Sequence, residues 1–176
     1  MNNQIKKWEI WGAILTILVG SLLHFTFEWS GGSKIVALFS AVNESTWEHL
    51  KLAFWPIFII TVIEYFTFGK QIKNFCLAVM VKIYLSLIII IALFYGWTAI
   101  LPDSLIWDIF TFILAVIISY FAGYKIMKIN KDLGWNKISI VLIIISIICF
   151  SLFTYFPPEN FLFENPISGG YGIGDL

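Results

Sequence analysis

Two long apolar segments are separated by the polar stretch SAVNESTWEH at residues 40–49. Both histidines of the chain and three of its carboxylates lie in this stretch or at the end of the segment before it: His24, Glu28, Glu44, Glu48 and His49. Ionisable side chains in or beside apolar segments are expensive to bury and are usually functional. The pattern therefore predicts that the functional site is built around this stretch.

The composition is that of an integral membrane protein. Hydrophobic residues make up 60% of the 176 residues and charged residues 12%, with a mean hydropathy of +0.89, whereas about a quarter of a soluble domain is charged. All 11 basic residues are lysines and the net charge is zero, which argues against a nucleic-acid partner. Cys76 and Cys149 lie in apolar segments without a CxxC motif, so we expect neither a disulfide nor a cysteine-zinc cluster.

The apolar segments predict an all-α membrane helix bundle. A helix needs about 20 apolar residues to cross the roughly 30 Å hydrocarbon core, and glycine or proline pairs stop the segments at Gly31-Gly32 and Pro157-Pro158. We expect one membrane domain over residues 1–176, with five transmembrane helices, a short amphipathic or re-entrant helix after the first, and an outer C-terminal tail over 157–176. The expected spans are approximately 9–29, 45–68, 75–101, 105–124 and 138–156.

The lysines set the predicted orientation, because cytoplasmic loops carry the excess of basic residues. A cytoplasmic N-terminus leaves only Lys34 and Lys51 outside and Lys82 within the membrane. The C-terminus is then extracytoplasmic, and the stretch at 40–49 faces outward. The lysines placed inside are Lys6, Lys7, Lys70, Lys73, Lys125, Lys128, Lys131 and Lys137.

The predicted site contains the residue types of a metal centre. His24 and Glu28 are four residues apart and share one face of a helix. Together with His49 they are the expected ligands of zinc or another divalent metal, and Glu44 or Glu48 is the expected catalytic base that activates water. Neither HExxH nor HxxxH occurs. Two other interpretations stay open: a metal-free pocket for a polar ligand, and plain helix capping.

Other polar residues have supporting roles in this prediction. Ser45 and Glu48 have the spacing of a capping box, and Asn43 is an alternative cap. We expect Asn43, Ser45 and Asp108 to surround and orient the ligands. Glu64 and Lys82 lie at similar depth on consecutive spans, and an ion pair between them removes much of the roughly 2.5–3.5 kcal/mol that either residue costs alone at the centre of a membrane.

Three blocks of sequence resemble an uncharacterised family of small bacterial integral membrane proteins. They are SAVNESTWEHLK at residues 40–51, LLHFTFEWSG at 22–31 and FPPENFLFENPISGGYGI at 156–173. The resemblance covers nearly the whole chain and implies a multi-pass protein of the bacterial plasma membrane. It implies no activity or ligand.

Two classes of function follow from these residues. The first is a metal-dependent hydrolase or transferase that acts on a lipid-linked or envelope substrate. The second is a non-enzymatic subunit that binds or transports a small solute in the same pocket. Both classes have the lipid bilayer and a small-molecule or lipid ligand at the outer face as partners. A purely structural protein would leave the density of polar residues at 40–49 unexplained.

Overall fold

The computed structural model describes residues 2–175, so Met1 and Leu176, the ends of the expected 1–176 domain, lie outside the described residues. The fold is all-α, as predicted. The described residues form six α-helices and no strand, apart from one isolated bridge between Glu164 and Tyr171. The helices are α1 (Asn2–Trp29), α2 (Lys34–Ala37), α3 (Thr46–Thr67), α4 (Phe75–Thr98), α5 (Leu105–Met127) and α6 (Asn136–Leu152).

Four of these helices, α1, α3, α4 and α5, are long and apolar enough to cross a membrane. Helix α6 is also apolar but has 17 residues. The outward faces carry many exposed large apolar side chains, among them Ile106 at 81% and Phe66 at 68%. Such surfaces are rare on soluble monomers, so the molecule has the surface of a membrane protein.

Several elements differ from the sequence prediction: α4 and α6 end earlier than expected, at Thr98 and Leu152, and α5 ends later, at Met127. Helix α1 begins at Asn2 rather than near residue 9, because Ile5 and Glu9 are buried against the bundle and hold the first turns in place. The expected amphipathic helix is a single turn, α2. It ends at Ala37, which is fully buried, and the chain then folds back toward α3.

Helix α4 is the most central helix and contacts α3, α5 and α6, while α1 contacts both α3 and α5. Gly20 makes the close approach of α1 possible. A Cβ atom at this position would collide with the main-chain oxygen of Leu52 in α3 and would lie 2.7 Å from the ring of Phe112 in α5.

Helix α6 reaches both ends of the bundle. At its first residue the Asn136 side chain accepts a hydrogen bond from the Leu77 main-chain N–H (3.2 Å), near the start of α4. Just beyond its last residue, Thr154 accepts a hydrogen bond from Lys51 (2.9 Å), near the start of α3. The two connections therefore lie at opposite ends of the molecule.

The C-terminal tail folds over the start of α3. The main-chain N–H of Trp47 donates to the Leu162 carbonyl (2.9 Å), and the main-chain N–H of Ile173 donates to the Thr154 carbonyl (3.1 Å). The Trp47 ring packs against Phe163 of the tail, with ring centroids 4.7 Å apart. The tail and the stretch at 40–49 thus form one end of the bundle together.

Candidate metal and ligand site

The start of α3 is organised by the polar stretch itself. Ser45 is the N-cap, with extended backbone (φ −67°, ψ 151°), and its hydroxyl accepts from the Glu48 N–H (3.4 Å). The Ser45 N–H in turn donates to the side-chain oxygen of Asn43 (2.9 Å). These bonds satisfy main-chain donors that a helix start leaves free, and they direct His49 to one side of α3.

Both imidazoles meet one carboxylate at this end of the bundle. Glu44 Oε2 lies 3.4 Å from His49 Nε2 and 3.9 Å from His24 Nε2. The two imidazole rings are perpendicular, with centroids 5.1 Å apart. One ligand atom from each residue lies within 4.8 Å of the others. Zinc ligands at bond lengths of about 2.0–2.1 Å in a tetrahedron lie about 3.3 Å apart, so small side-chain rotations would bring this set onto one ion.

A hydrogen bond to the Ser45 carbonyl fixes the orientation of the His49 ring. Its Nδ1 lies 2.9 Å from the Ser45 carbonyl oxygen, and a carbonyl only accepts, so Nδ1 carries a proton and donates. Nε2 is then the atom that faces Glu44 and the space between the three residues. Metal-binding histidines typically hold their second ring nitrogen in this way.

Glu44 is the negative group of the site. A hydrogen bond from His49 holds the pKa of the Glu44 carboxyl below its usual range, and the charges of His49 and His24 act in the same direction against partial burial. Asp108 of α5 lies close enough to His49 for their charges to interact. Its Oδ1 is buried without a hydrogen-bond partner among the described residues.

A cavity of about 490 Å³ opens beside His24 and Glu44. Its wall is partly polar and partly apolar, and the C-terminal tail contributes Asn165 and Ile167 to it. From α1 and the polar stretch the lining includes His24, Phe25, Glu28, Asn43 and Glu44. A ligand in this cavity would therefore contact the histidine cluster from one side.

The carboxylates of Glu28, Glu44 and Glu48 lie in three different environments. Glu44, expected as a base, lies between the imidazoles. Glu28, expected as a ligand, is exposed and lines the cavity, but it is not part of the converging set. Glu48 is buried on another side of α3, where it accepts from the Val42 N–H (3.1 Å) and pairs with Lys51.

The three residues expected around the ligands lie near the histidine cluster. Asn43 bonds to Ser45 and also donates to the Gly172 carbonyl of the tail (3.1 Å). Ser45 holds His49 through its carbonyl, and Asp108 of α5 lies close enough to His49 for their charges to interact.

Sequence reasoning missed two polar residues here, Lys51 and Thr154. The buried Lys51 ammonium contacts Glu48 and donates to the Ala37 carbonyl (2.8 Å) and the Thr154 hydroxyl (2.9 Å). The spacing of Glu48 and Lys51 was the available signal, since residues three apart are neighbours on a helix. Nothing in the local sequence indicated Thr154.

At the other end of the bundle, Lys82 lies 2.9 Å from Glu64, the residue with which we expected it to pair. It also lies 2.8 Å from Glu9, which the sequence prediction had placed at the very start of the first span.

The fold and the surface thus define a class: a small all-α protein with at least four helices able to cross a membrane and a histidine and carboxylate cluster at one end. The chain belongs to the family of unknown function DUF6512, whose model matches residues 1–173. No curated protein and no solved structure matches it.

Proposed function

We propose that the chain is a plasma-membrane protein that crosses the bilayer five times, with its N-terminus in the cytoplasm. The apolar character of α6 and its contacts at both ends of the bundle support a fifth crossing. The excess of lysines at the opposite end from the histidine cluster supports the orientation. The histidine cluster and the tail then face the extracytoplasmic side.

At that outer face we propose a divalent metal site, most simply zinc, with His24, Glu44 and His49 as its ligands. The observation that carries this proposal is the convergence of the three ligand atoms, with His49 Nδ1 already held by Ser45. Three protein ligands leave a fourth position for water, which is the arrangement of catalytic zinc sites.

The proposed activity is hydrolysis or group transfer, for which a zinc ion held by His24, Glu44 and His49 would activate water or the hydroxyl of an acceptor. Zinc lowers the pKa of a bound water to about 7, which makes hydroxide available at neutral pH. Glu28 lines the same cavity and is not used as a ligand, so it is the proposed base. Glu28 would accept the proton of the attacking water and pass it to the leaving group as the acyl or phosphoryl bond to that group breaks.

The proposed substrate is lipid-linked, because the cavity has an aromatic edge on the outer surface of α1. Phe25 lines the cavity, is about half exposed, and stacks on His24 with centroids 5.0 Å apart. Trp29 stacks on the other side of Phe25 at 5.8 Å and is exposed. Aromatic side chains of this kind lie at membrane interfaces, where a lipid chain can approach the site from the bilayer.

A second candidate function is a subunit that binds or transports a small solute without chemistry. The observation that favours it is the tail, which closes one wall of the cavity with Asn165 and Ile167. In this case His24 and Glu44, which line the cavity, hold a polar solute directly.

Metal analysis of the purified protein tests the enzyme proposal. We expect one equivalent of zinc in the wild type and in Glu28→Gln, and loss of zinc in His24→Ala, His49→Ala and Glu44→Gln. The Glu28→Gln variant is the matched control, because Glu28 borders the cavity but is not in the converging set. A wild type that binds no metal after incubation with zinc overturns the proposal. A small molecule that copurifies and is lost in His24→Ala supports the binder instead.

A further inference from the structure

A second cluster of charged side chains lies in the bundle at the end opposite the histidines. The Lys82 ammonium is 2.8 Å from Glu9 Oε1 and 2.9 Å from Glu64 Oε2. The three side chains come from α1, α3 and α4, and their exposures are 0% for Lys82, 5% for Glu9 and 0% for Glu64. From α5, the Tyr120 ring lies 4.8 Å from the ammonium and closes the cluster.

The charges of this cluster do not balance if every group is ionised. Two carboxylates face one ammonium, which leaves one negative charge in a site without access to water. An uncompensated buried charge costs several kcal/mol, more than most single interactions contribute to stability. The Tyr120 hydroxyl does not offset it, because that group is hydrogen-bonded to the Thr16 hydroxyl (2.8 Å).

The hydrogen bonds of the cluster indicate that it lacks a donor for two carboxyl oxygens. Glu9 Oε2 and Glu64 Oε1 are buried and have no partner among the described residues. The two carboxyl groups also lie within hydrogen-bonding reach of each other. Two ionised carboxylates have no donor to share. One proton on either of them supplies an O–H donor to the other and removes the excess charge at the same time.

We propose that Glu9 and Glu64 hold one proton between them, so that Glu9, Glu64 and Lys82 form a neutral proton-binding site within the membrane domain. The ligand of this site is the proton rather than a metal ion, because the ammonium already occupies the space in which a cation would meet both carboxylates. The site is separate from the histidine cluster and does not depend on the function proposed for it.

Small and polar residues occupy the face of α1 between this site and His24. Residues Glu9, Gly12, Thr16, Gly20 and His24 recur every three or four positions and lie on one face of this helix. Thr16 and Tyr120 continue the polar line from the cluster toward the middle of the bundle. Glu9 and His24 are separated by about 22 Å along the helix axis, at 1.5 Å per residue.

Infrared spectroscopy of the full chain in detergent or vesicles tests this proposal through the carbonyl stretch of protonated carboxylic acids. We expect the wild type to show this band at neutral pH and to lose it as the pH is raised, because the proton leaves the pair. Glu9→Gln and Glu64→Gln should each abolish the contribution of the pair, since one remaining carboxylate balances Lys82. Lys82→Met should increase the band, because both carboxyls are then protonated.

Glu159→Gln is the control and should leave the band unchanged, since Glu159 is an exposed carboxylate of the C-terminal tail. The wild-type titration needs no variant, so a substitution that prevents folding does not remove the test. The absence of the band in wild type at neutral pH overturns the proposal, as does its survival in both glutamine variants. Loss of the band on addition of sodium ions at constant pH also overturns it and assigns the site to sodium.

Discussion

Glu48 and Lys51 form an ion pair at the start of α3, with exposures of 2% and 0% for their side chains. The pair holds several segments together. Lys51 donates to the Ala37 carbonyl at the end of α2 and to the Thr154 hydroxyl beyond α6, and Glu48 accepts from the Val42 N–H. Because these bonds fix the chain that connects α2 to α3, they also determine where Glu44 lies relative to the two histidines.

Loss of one partner of this pair should be strongly destabilising. Lys51→Met leaves the Glu48 carboxylate buried without its counter-charge, which typically costs about 3–5 kcal/mol. We expect a clearly lower thermal unfolding temperature in detergent. The double variant Glu48→Gln with Lys51→Met should recover part of the loss, because no buried charge remains. Lys34→Met, at an exposed lysine, should change the stability by no more than about 0.5 kcal/mol. Equal stability of Lys51→Met and wild type would contradict this account of the pair.

Substitution by alanine should change the stability in opposite directions at two helical glycines, Gly20 and Gly96. Gly20→Ala places a Cβ against the Leu52 carbonyl and the Phe112 ring, and such overpacking costs about 1–3 kcal/mol. Gly96 has open space around its ideal Cβ position, so Gly96→Ala should raise the stability by about 0.5–1 kcal/mol through helix propensity. Thermal unfolding of both variants checks this difference, and a neutral Gly20→Ala would show that α1 does not pack as closely as described.

Asn43 should influence metal binding at the proposed site without touching the metal. Asn43→Ala removes the acceptor for the Ser45 N–H and the donor to the Gly172 carbonyl. Ser45 then holds His49 less firmly, and loss of such support typically lowers metal affinity roughly 10- to 100-fold. Asn43→Asp keeps the acceptor and loses the donor, so zinc titration should show near-normal affinity for it. Equal weakening in both variants would assign the effect to the tail contact instead.

The proposed orientation predicts which loops are accessible from outside the cell. In a background with Cys76→Ala and Cys149→Ser, a cysteine at the exposed Ser168 of the tail should react with a membrane-impermeant thiol reagent in intact cells. A cysteine at the exposed Lys131, between α5 and α6, should react after permeabilisation. The reverse pattern would place the histidine cluster in the cytoplasm and remove the basis for an envelope substrate.

Several features of the fold could be predicted because they depend on neighbouring residues alone. The hydropathy of each segment and the positions of Gly31, Gly32, Pro157 and Pro158 indicated the helices, and the starts of α3, α4 and α5 were predicted to within a residue or so. The Ser45 cap is also local, since it involves residues within three positions of one another. The start of α1 was predicted too late, because the burial of Ile5 and Glu9 depends on helices that follow much later in the chain.

The sequence by itself determined that the protein is apolar enough for a membrane, and that both of its histidines and three of its carboxylates lie within residues 24–28 and 40–51. The tertiary structure alone decided which of these residues meet. Glu44 rather than Glu28 approaches both imidazoles, because the chain folds back after α2 and is held by Lys51. Glu9 joins Lys82 across 73 positions because α1 packs beside α3 and α5. Helical periodicity defines the faces of each helix, but the rotation of one helix against another follows from contacts between residues that are distant in the sequence.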